Sequence, residues 1–277
     1  PSSGWSTYDR VYSGNISQWL KYANSLKLRM AMRISYRNPE LARRKAEEAV
    51  SCLILSNEDN AFLKPTENRM PLIYNSWNDH RVGADILCFM TGYNDPRLEK
   101  MFLKSTGDNP QYVGIRIGST VSKKSEAIDA YSNLIVNSDS PLLWMNAAEV
   151  NFLLAEYQLR FAGDKAKAKE YYENGIRLSF AEKGASGVDD YLADASSTPV
   201  QYIDPLGKYS AASKTTECKV AWDEKGDEET NLEQIITQKW IAIFPLGNEA
   251  WAEYRRTGYP KLLPAPQNLG PDNVDLN

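Results

Sequence analysis

Residues Gln238 to Pro260, QKWIAIFPLGNEAWAEYRRTGYP, constrain the fold of this chain more than any other stretch. Two of the seven Trp, a paired Arg and two Gly fall within it. Ile235, Ile236, Trp240, Ile243 and Phe244 recur at near-helical spacing. Pro245 has no backbone N–H to donate, so a continuous helix stops there. Gly247-Asn248 turns the chain, and Glu249 to Arg256 resumes a helical pattern with Trp251 and Tyr254 on one face. The spacing predicts a helix, a kink and a second helix that wedge large aromatics into a core.

At 277 residues the chain is long enough for one large domain or two ordinary ones. A hydrophobic fraction of 42% beside 25% charged residues is that of a folded chain. The net charge of −4 is spread over mixed signs and argues against a nucleic-acid partner, which needs a basic face. No apolar run approaches the roughly 18 residues of a membrane-spanning helix. Cys52, Cys88 and Cys218 are odd in number, far apart and form no CxxC, so buried free thiols are expected rather than a disulfide framework or a metal site.

Taken in order, residues 1–15 read as a loop, and a helix begins near Asn15 or Ser17. Trp19, Ala23, Leu26, Met30 and Arg33-Ile34 form one stripe along it. Asn38-Pro39 starts the next helix, with Asn as cap and Pro in the first turn, running to about 55. The pair makes a helical hairpin over 16–55. Prolines and glycines break the pattern over 57–140. Short helices are expected there at about 82–90 and 97–103, with Asp95 as a cap, and a strand hairpin near 111–121. Ser140-Pro141 repeats the cap-plus-Pro device, so a helix is expected over 141–161 with Leu143, Trp144, Ala147, Val150 and Leu154 inward. A turn at Gly163-Asp164 and a helix over 165–181 complete a second hairpin, 141–181, of about tetratricopeptide length. Residues 183–228 are loop-rich with a short helix near 188–194. The kinked C-terminal helix occupies 230–257, capped by Thr230 or Asn231, and 258–277 is an extended tail.

Candidate chemistry is sparse. His80 is the only histidine and cannot build a multi-His metal site, nor does a Ser-His-Asp or Cys-His set have local support. Glu149 and Glu156 share a helix face, whereas a glycosidase needs two carboxylates opposed across a cleft. Glu156, inside an apolar run, is expected to pair with a buried Arg, and Arg255-Arg256 to serve structure near a helix end. No phosphate-binding GxGxxG or GxxxxGK occurs. Neither a cofactor nor a metal is implied.

Aromatics are the functional lead, because sugar rings lie flat on Trp and Tyr faces while amides and carboxylates hold their hydroxyls. Trp19, Trp144, Trp240 and Trp251 sit on helix stripes and read as core. The stretch IYNSWNDHR, Ile73 to Arg81, is different: Tyr74 and Trp77 lie among Asn75, Asn78, Asp79, His80 and Arg81 with no apolar stripe. Candidate glycan contacts are Tyr74, Trp77, Asn78, Asp79, Arg81 and Tyr93. The competing reading makes Trp77 a plug in the core.

Several motifs carry a resemblance. Gln238-Lys239-Trp240, then Glu249-Ala250-Trp251, then Arg255 to Pro260, together with Asn24 to Arg29, Asp95 to Leu98 and NFLLAEYQLR at 151–160, resemble the SusD/RagB-like family. The resemblance covers nearly the whole chain. It implies a mostly α fold, an α-α superhelix of tetratricopeptide-like hairpins with a loop-rich insertion, as one domain over 1–277. It also implies a non-catalytic lipoprotein of the outer membrane that presents a glycan to a TonB-dependent, SusC-like transporter. A signal peptide and lipidated Cys belong to that pattern, and Pro1 to Arg10 shows neither, so a mature or shortened form is expected. Two other readings stay open: a helical-repeat protein that binds a peptide or protein, and a carbohydrate-active enzyme.

Overall fold

The computed structural model describes residues 3–267, so positions 268–277 of the expected extended tail lie outside the described residues. The fold is mostly helical, as expected. Its residues gather into two compact units. Unit 1 takes residues up to 67, 139–192 and 221–260; unit 2 takes 68–138, 193–220 and the residues from 261.

Unit 1 opens with a short helix α1 (Ser3–Tyr8) and the long α2 (Ile16–Arg33). Asn15 caps α2 by accepting from the Gln18 N–H, and Asn38 caps α3 (Pro39–Glu47) by accepting from the Leu41 N–H, at 3.3 and 3.1 Å. Helix α3 ends eight residues earlier than 55 because Leu53 and Ile54 turn back into the core, where the Ile54 N–H donates to Ser25 Oγ at 2.9 Å. The buried face of α2 is Ser25, Leu28, Ala31 and Met32. Ala23 and Met30, expected inward, are exposed. Trp19 does join the core, edge-on to Tyr12 at 5.2 Å and donating its Nε1–H to Asp9 at 2.7 Å.

The helix expected from 141 does not start there. Leu142–Met145 is a strand, β4, antiparallel to β1 (Ala61–Leu63), with Phe62 opposite Leu143. Burial alternates along it, leaving Trp144 37% exposed rather than in the core. Asn146 is the true cap of α7 (Ala147–Tyr157), accepting from the Glu149 N–H at 2.9 Å. Residues 147–156 are buried on every side, as a central helix requires. A wide turn at Gln158–Ala162 and Gly163, with φ +68°, lead to α8 (Lys165–Lys183), capped by Asp164. Gly175 lies against the Phe152 ring, where any side chain would collide. The two helices therefore form the expected second hairpin in close contact. Helix α9 (Val188–Ala193) follows.

Asp227, not Thr230 or Asn231, caps α10 (Glu228–Ala242). The chain breaks before Pro245 as expected and resumes as α11 (Gly247–Thr257). Trp251 does not wedge inward: it is 56% exposed and stacks on Tyr254 at 5.6 Å. The inner face of α11 is charged instead. Glu249 and Glu253 meet Arg33 at 2.5 and 3.2 Å, and Arg256 meets Glu253 and Glu156. Arg29 grips Glu149 with Nε and Nη2 at 2.7 and 2.6 Å. Lys239 Nζ stands 3.6 to 3.7 Å from Glu149, Glu249 and Glu253, an ion-pair distance rather than a hydrogen bond. This buried network ties α2, α7, α10 and α11 together.

Unit 2 holds α4 (Ala84–Gly92), α5 (Leu98–Met101), α6 (Lys124–Ala130) and a small ladder of β2 (Phe102–Leu103) with β3 (Asn133–Leu134). Asp95 does not cap α5. It accepts the Arg97 N–H at 2.9 Å and pairs with the Arg97 guanidinium at 2.6 Å, both side chains fully buried. No strand hairpin forms over 111–121. Ile115 bridges Gly83 alone, and Gly114 packs on the Gly83 backbone with no room for a Cβ. Asp204 organises the 204–209 turn, accepting from the N–H groups of Leu206, Lys208 and Tyr209 and from the Tyr131 hydroxyl.

Candidate functional site

The stretch singled out by its unpatterned aromatics forms a built loop in unit 2. Leu72–Ser76 makes one wide π-helical turn, closed where the Trp77 N–H reaches back to the Leu72 carbonyl at 2.8 Å. Asn78 then adopts φ +54°, a left-handed conformation that Asn tolerates better than most side chains. The Asp79 N–H closes onto the Ile73 carbonyl at 3.0 Å.

Two side chains pin this loop from below. Arg81 donates Nη1 to the carbonyls of His80 and Tyr74 at 2.7 and 3.4 Å, and Nη2 to Asn78 Oδ1 and the Ile128 carbonyl at 3.1 and 3.3 Å. Burial lowers its pKa, opposed by the charge of Asp129. Asn133, on β3, donates Nδ2 to the Tyr74 carbonyl and Asn75 Oδ1 at 3.2 and 3.0 Å. The loop therefore presents its tip in one shape.

Trp77 stands at that tip, 54% exposed. It is not a core plug. Asn75, Asp79 and His80 around it are exposed too. Asp79 Oδ1 meets Lys124 Nζ at 2.5 Å, with both side chains about half in water. Such a pair contributes little to stability, so a hydroxyl can compete for either group. Tyr74 is half-buried beside His80, ring centres 5.8 Å apart, and burial raises its phenol pKa.

The six candidates thus separate. Trp77 and Asp79 face water. Tyr74 supports the tip from its side. Asn78 and Arg81 are engaged within the loop itself, Asn78 also donating Nδ2 to the Asn75 carbonyl at 3.1 Å. Tyr93 has to be withdrawn: it is 1% exposed at the end of α4, edge-on to Phe89 and donating its hydroxyl to the Cys218 carbonyl at 3.0 Å. Lys124 and Asn133 were not anticipated; they lie 45 and 58 residues from their loop partners, and no local pattern marks them.

Elsewhere in unit 2 a cavity of about 160 Å³ is lined by Leu87, Cys88, Thr91, Tyr112, Val113 and Tyr202, among others, and by none of residues 71–81. Burial pushes the Cys88 thiol up to about 12, which makes it a poor nucleophile. All three Cys are free and half-buried. Glu149 and Glu156 are each held by guanidinium groups in unit 1, Glu156 by both Arg160 and Arg256, as expected of a scaffold carboxylate. Chemically, the 71–81 loop carries an exposed indole, Trp77, and an exposed carboxylate two residues on, Asp79, which pairs with the ammonium of Lys124.

Comparison with known proteins gives a family match over residues 2–277, described as SusD-like: SusD and RagB outer membrane lipoprotein. A SusD homologue from Bacteroides thetaiotaomicron is 48% identical with a TM-score of 0.91, covering 95% of this chain and 56% of that one. One from Bacteroides uniformis is 48% identical with a TM-score of 0.88, covering 93% and 55%. A chitin-binding SusD homologue from Flavobacterium johnsoniae is 40% identical with a TM-score of 0.92, covering 97% and 57%. The chain spans little more than half the length of these relatives. No curated protein matches it.

Proposed function

The chain belongs to the SusD/RagB family of outer-membrane lipoproteins, and from that premise we propose that it contributes to non-catalytic capture of a glycan, with Trp77 as the stacking platform. The observation that carries this reading is the exposure of Trp77, 54%, on a loop held rigid by Arg81 and Asn133. A pyranose laid on the indole meets its negative face with C–H groups, while Asp79, Asn75 and Lys124 reach the ring hydroxyls. Because the platform is preformed, binding incurs little ordering cost. The relative from Flavobacterium johnsoniae, a chitin-binding protein, supports a glycan of the N-acetylated class as the first one to test.

In the whole protein this capture takes place at the outer-membrane surface, on a lipid anchor, and hands the glycan to a SusC-like, TonB-dependent transporter. Family membership supports that part. No described helix is long and apolar enough to cross a membrane.

A glycan array probed with the 277-residue chain tests the reading, followed by affinity electrophoresis in the polysaccharide selected. Retarded migration without release of reducing ends is the expected result. A chain that binds no glycan but captures peptides, or that shortens the polysaccharide after rigorous purification, would overturn it.

A further inference from the structure

We propose that the cavity in unit 2 is a second sugar site, one that takes a single neutral pyranose, either a free monosaccharide or the last residue of a chain. Three segments of unit 2 build it. Ala84, Leu87, Cys88 and Thr91 stand at steps of three, one and three along α4, so they share one face of that helix. Gln111 to Gly114 runs beside them, held where the Val113 N–H donates to Ser132 Oγ at 3.0 Å and where Gly114 lies on the Gly83 backbone. Val200 to Ile203 closes the third side. There the Val200 N–H donates to the Cys88 carbonyl at 3.1 Å, and the Ala211 N–H to the Tyr202 carbonyl at 3.0 Å. Backbone contacts fix each wall, so the cavity is formed before any ligand arrives.

Volume and lining select the occupant. A cavity of roughly 150 Å³ accommodates one six-membered ring, and this one has about 160 Å³. Its floor is buried: Ala84, Leu87, Val113, Gly114 and Tyr202 are all shielded from water. A polymer has no exit through that floor, so only a chain end can enter. Among the described residues that line the cavity, no side chain is charged. A uronate would lose hydration there without gaining a counter-charge. Thr91, Gln111 and Gln201 are exposed at the mouth. Gln201 ties its Nε2 to the carbonyls of Ala211 and Ala212 at 2.8 and 3.3 Å, which leaves Oε1 to accept from a hydroxyl. An apolar floor for C–H groups with hydroxyl and amide groups at the mouth suits a pyranose better than a hydrocarbon ring. That the occupant is a sugar rests on the glycan-capture reading; its size, neutrality and entry by an end rest on the cavity alone. None of residues 71–81 lines it, so it is separate from the Trp77 platform.

Occupancy is read at the cavity itself, from the NMR methyl signals of Leu87, Val113 and Val200 in the isotope-labelled chain. Glucose, N-acetylglucosamine, glucuronic acid and benzyl alcohol are titrated in turn. Glucose or N-acetylglucosamine should shift all three residues saturably, and equally in Trp77→Ala, while glucuronic acid should not. Cys88→Phe fills the cavity and should abolish the shifts; the near-isosteric Cys88→Ser should keep them. Thr91→Val alters only an exposed hydroxyl and should weaken binding severalfold in a protein that still folds. No saturable shift with either neutral sugar would overturn the proposal. So would benzyl alcohol binding in their place, or glucuronic acid binding as well as glucose. The two readings fail separately: retardation in a polysaccharide gel tests the Trp77 platform, whereas the methyl shifts test the cavity.

Discussion

Arg256 places its two terminal nitrogens on the two oxygens of Glu156, Nη1 on Oε1 at 2.5 Å and Nη2 on Oε2 at 2.7 Å, across 100 residues of sequence. Planar two-point pairing of this kind selects Arg over Lys. Glu156 is fully buried and Arg256 nearly so. Removing Arg256 leaves buried Glu156 with Arg160 alone and takes a guanidinium from buried Glu253 as well. Arg256→Leu is expected to lower unfolding free energy by about 3–5 kcal/mol, and replacing both residues by apolar ones of similar volume should cost less than that. Urea unfolding of the single and double variants measures both values.

Acid should weaken the same network in a defined window. Burial tends to raise the pKa of Glu253, but Lys239, Arg256 and Arg33 overcome it and hold the group at about 2, below its ordinary 4.5. A depressed carboxylate stabilises the fold fully above pH 4.5 and loses that contribution as pH falls toward 2. Unfolding midpoints measured from pH 5 down to pH 2 should therefore decline. In Glu253→Gln the decline should be shallower, from a lower starting stability.

The backbone approach of Gly92 to Thr198 and Pro199 leaves no space for a methyl group. Gly92→Ala is expected to destabilise by about 1–3 kcal/mol through overpacking against rigid backbone. Gly163, with nothing near its missing Cβ but a φ of +68°, should show only the smaller penalty of a left-handed conformation in Gly163→Ala. Thermal melts of the two variants give the ordering.

Much of unit 1 was legible because its signals are local. Asn15, where the first long helix was expected to begin, and Asn38 each cap a helix by reaching three residues ahead, and the Pro245 break depends on one residue's missing N–H. Which face of α2 turns inward was not legible. Trp19 and Leu26 of the expected stripe do pack on the core, but Ala23 and Met30 turn outward while Leu28 and Met32, at equally helical spacing, are buried. The strand at 142–145 escaped for a similar reason. A short apolar run after Pro141 suits a helix start equally well, and only the distant Phe62 makes it a strand. At the site, the lack of an apolar stripe marked Trp77 correctly as a loop residue. The same logic failed for Tyr93, which follows a Gly turn signal in sequence but closes a buried helix end.

Arg81 is expected to act on the loop rather than on a ligand. Its guanidinium joins Tyr74, Asn78, His80 and Ile128. Arg81→Met should speed amide hydrogen exchange across 73–80 without lowering the exchange protection of α7 in unit 1. Any glycan affinity should fall because a mobile tip has to be ordered on binding.

Trp77→Ala removes the proposed stacking surface while leaving the loop's internal hydrogen bonds in place. The indole is more exposed than buried, so the melting temperature of the variant should stay within about 1–2 °C of the parent, as for ordinary surface substitutions. Affinity for the glycan picked out by the array should drop at least about tenfold, as when an anchoring aromatic is lost from an interface, and Trp77→Phe should recover part of it. Unchanged affinity with an unchanged melting temperature, or a variant that no longer folds, would rule out Trp77 as the stacking platform.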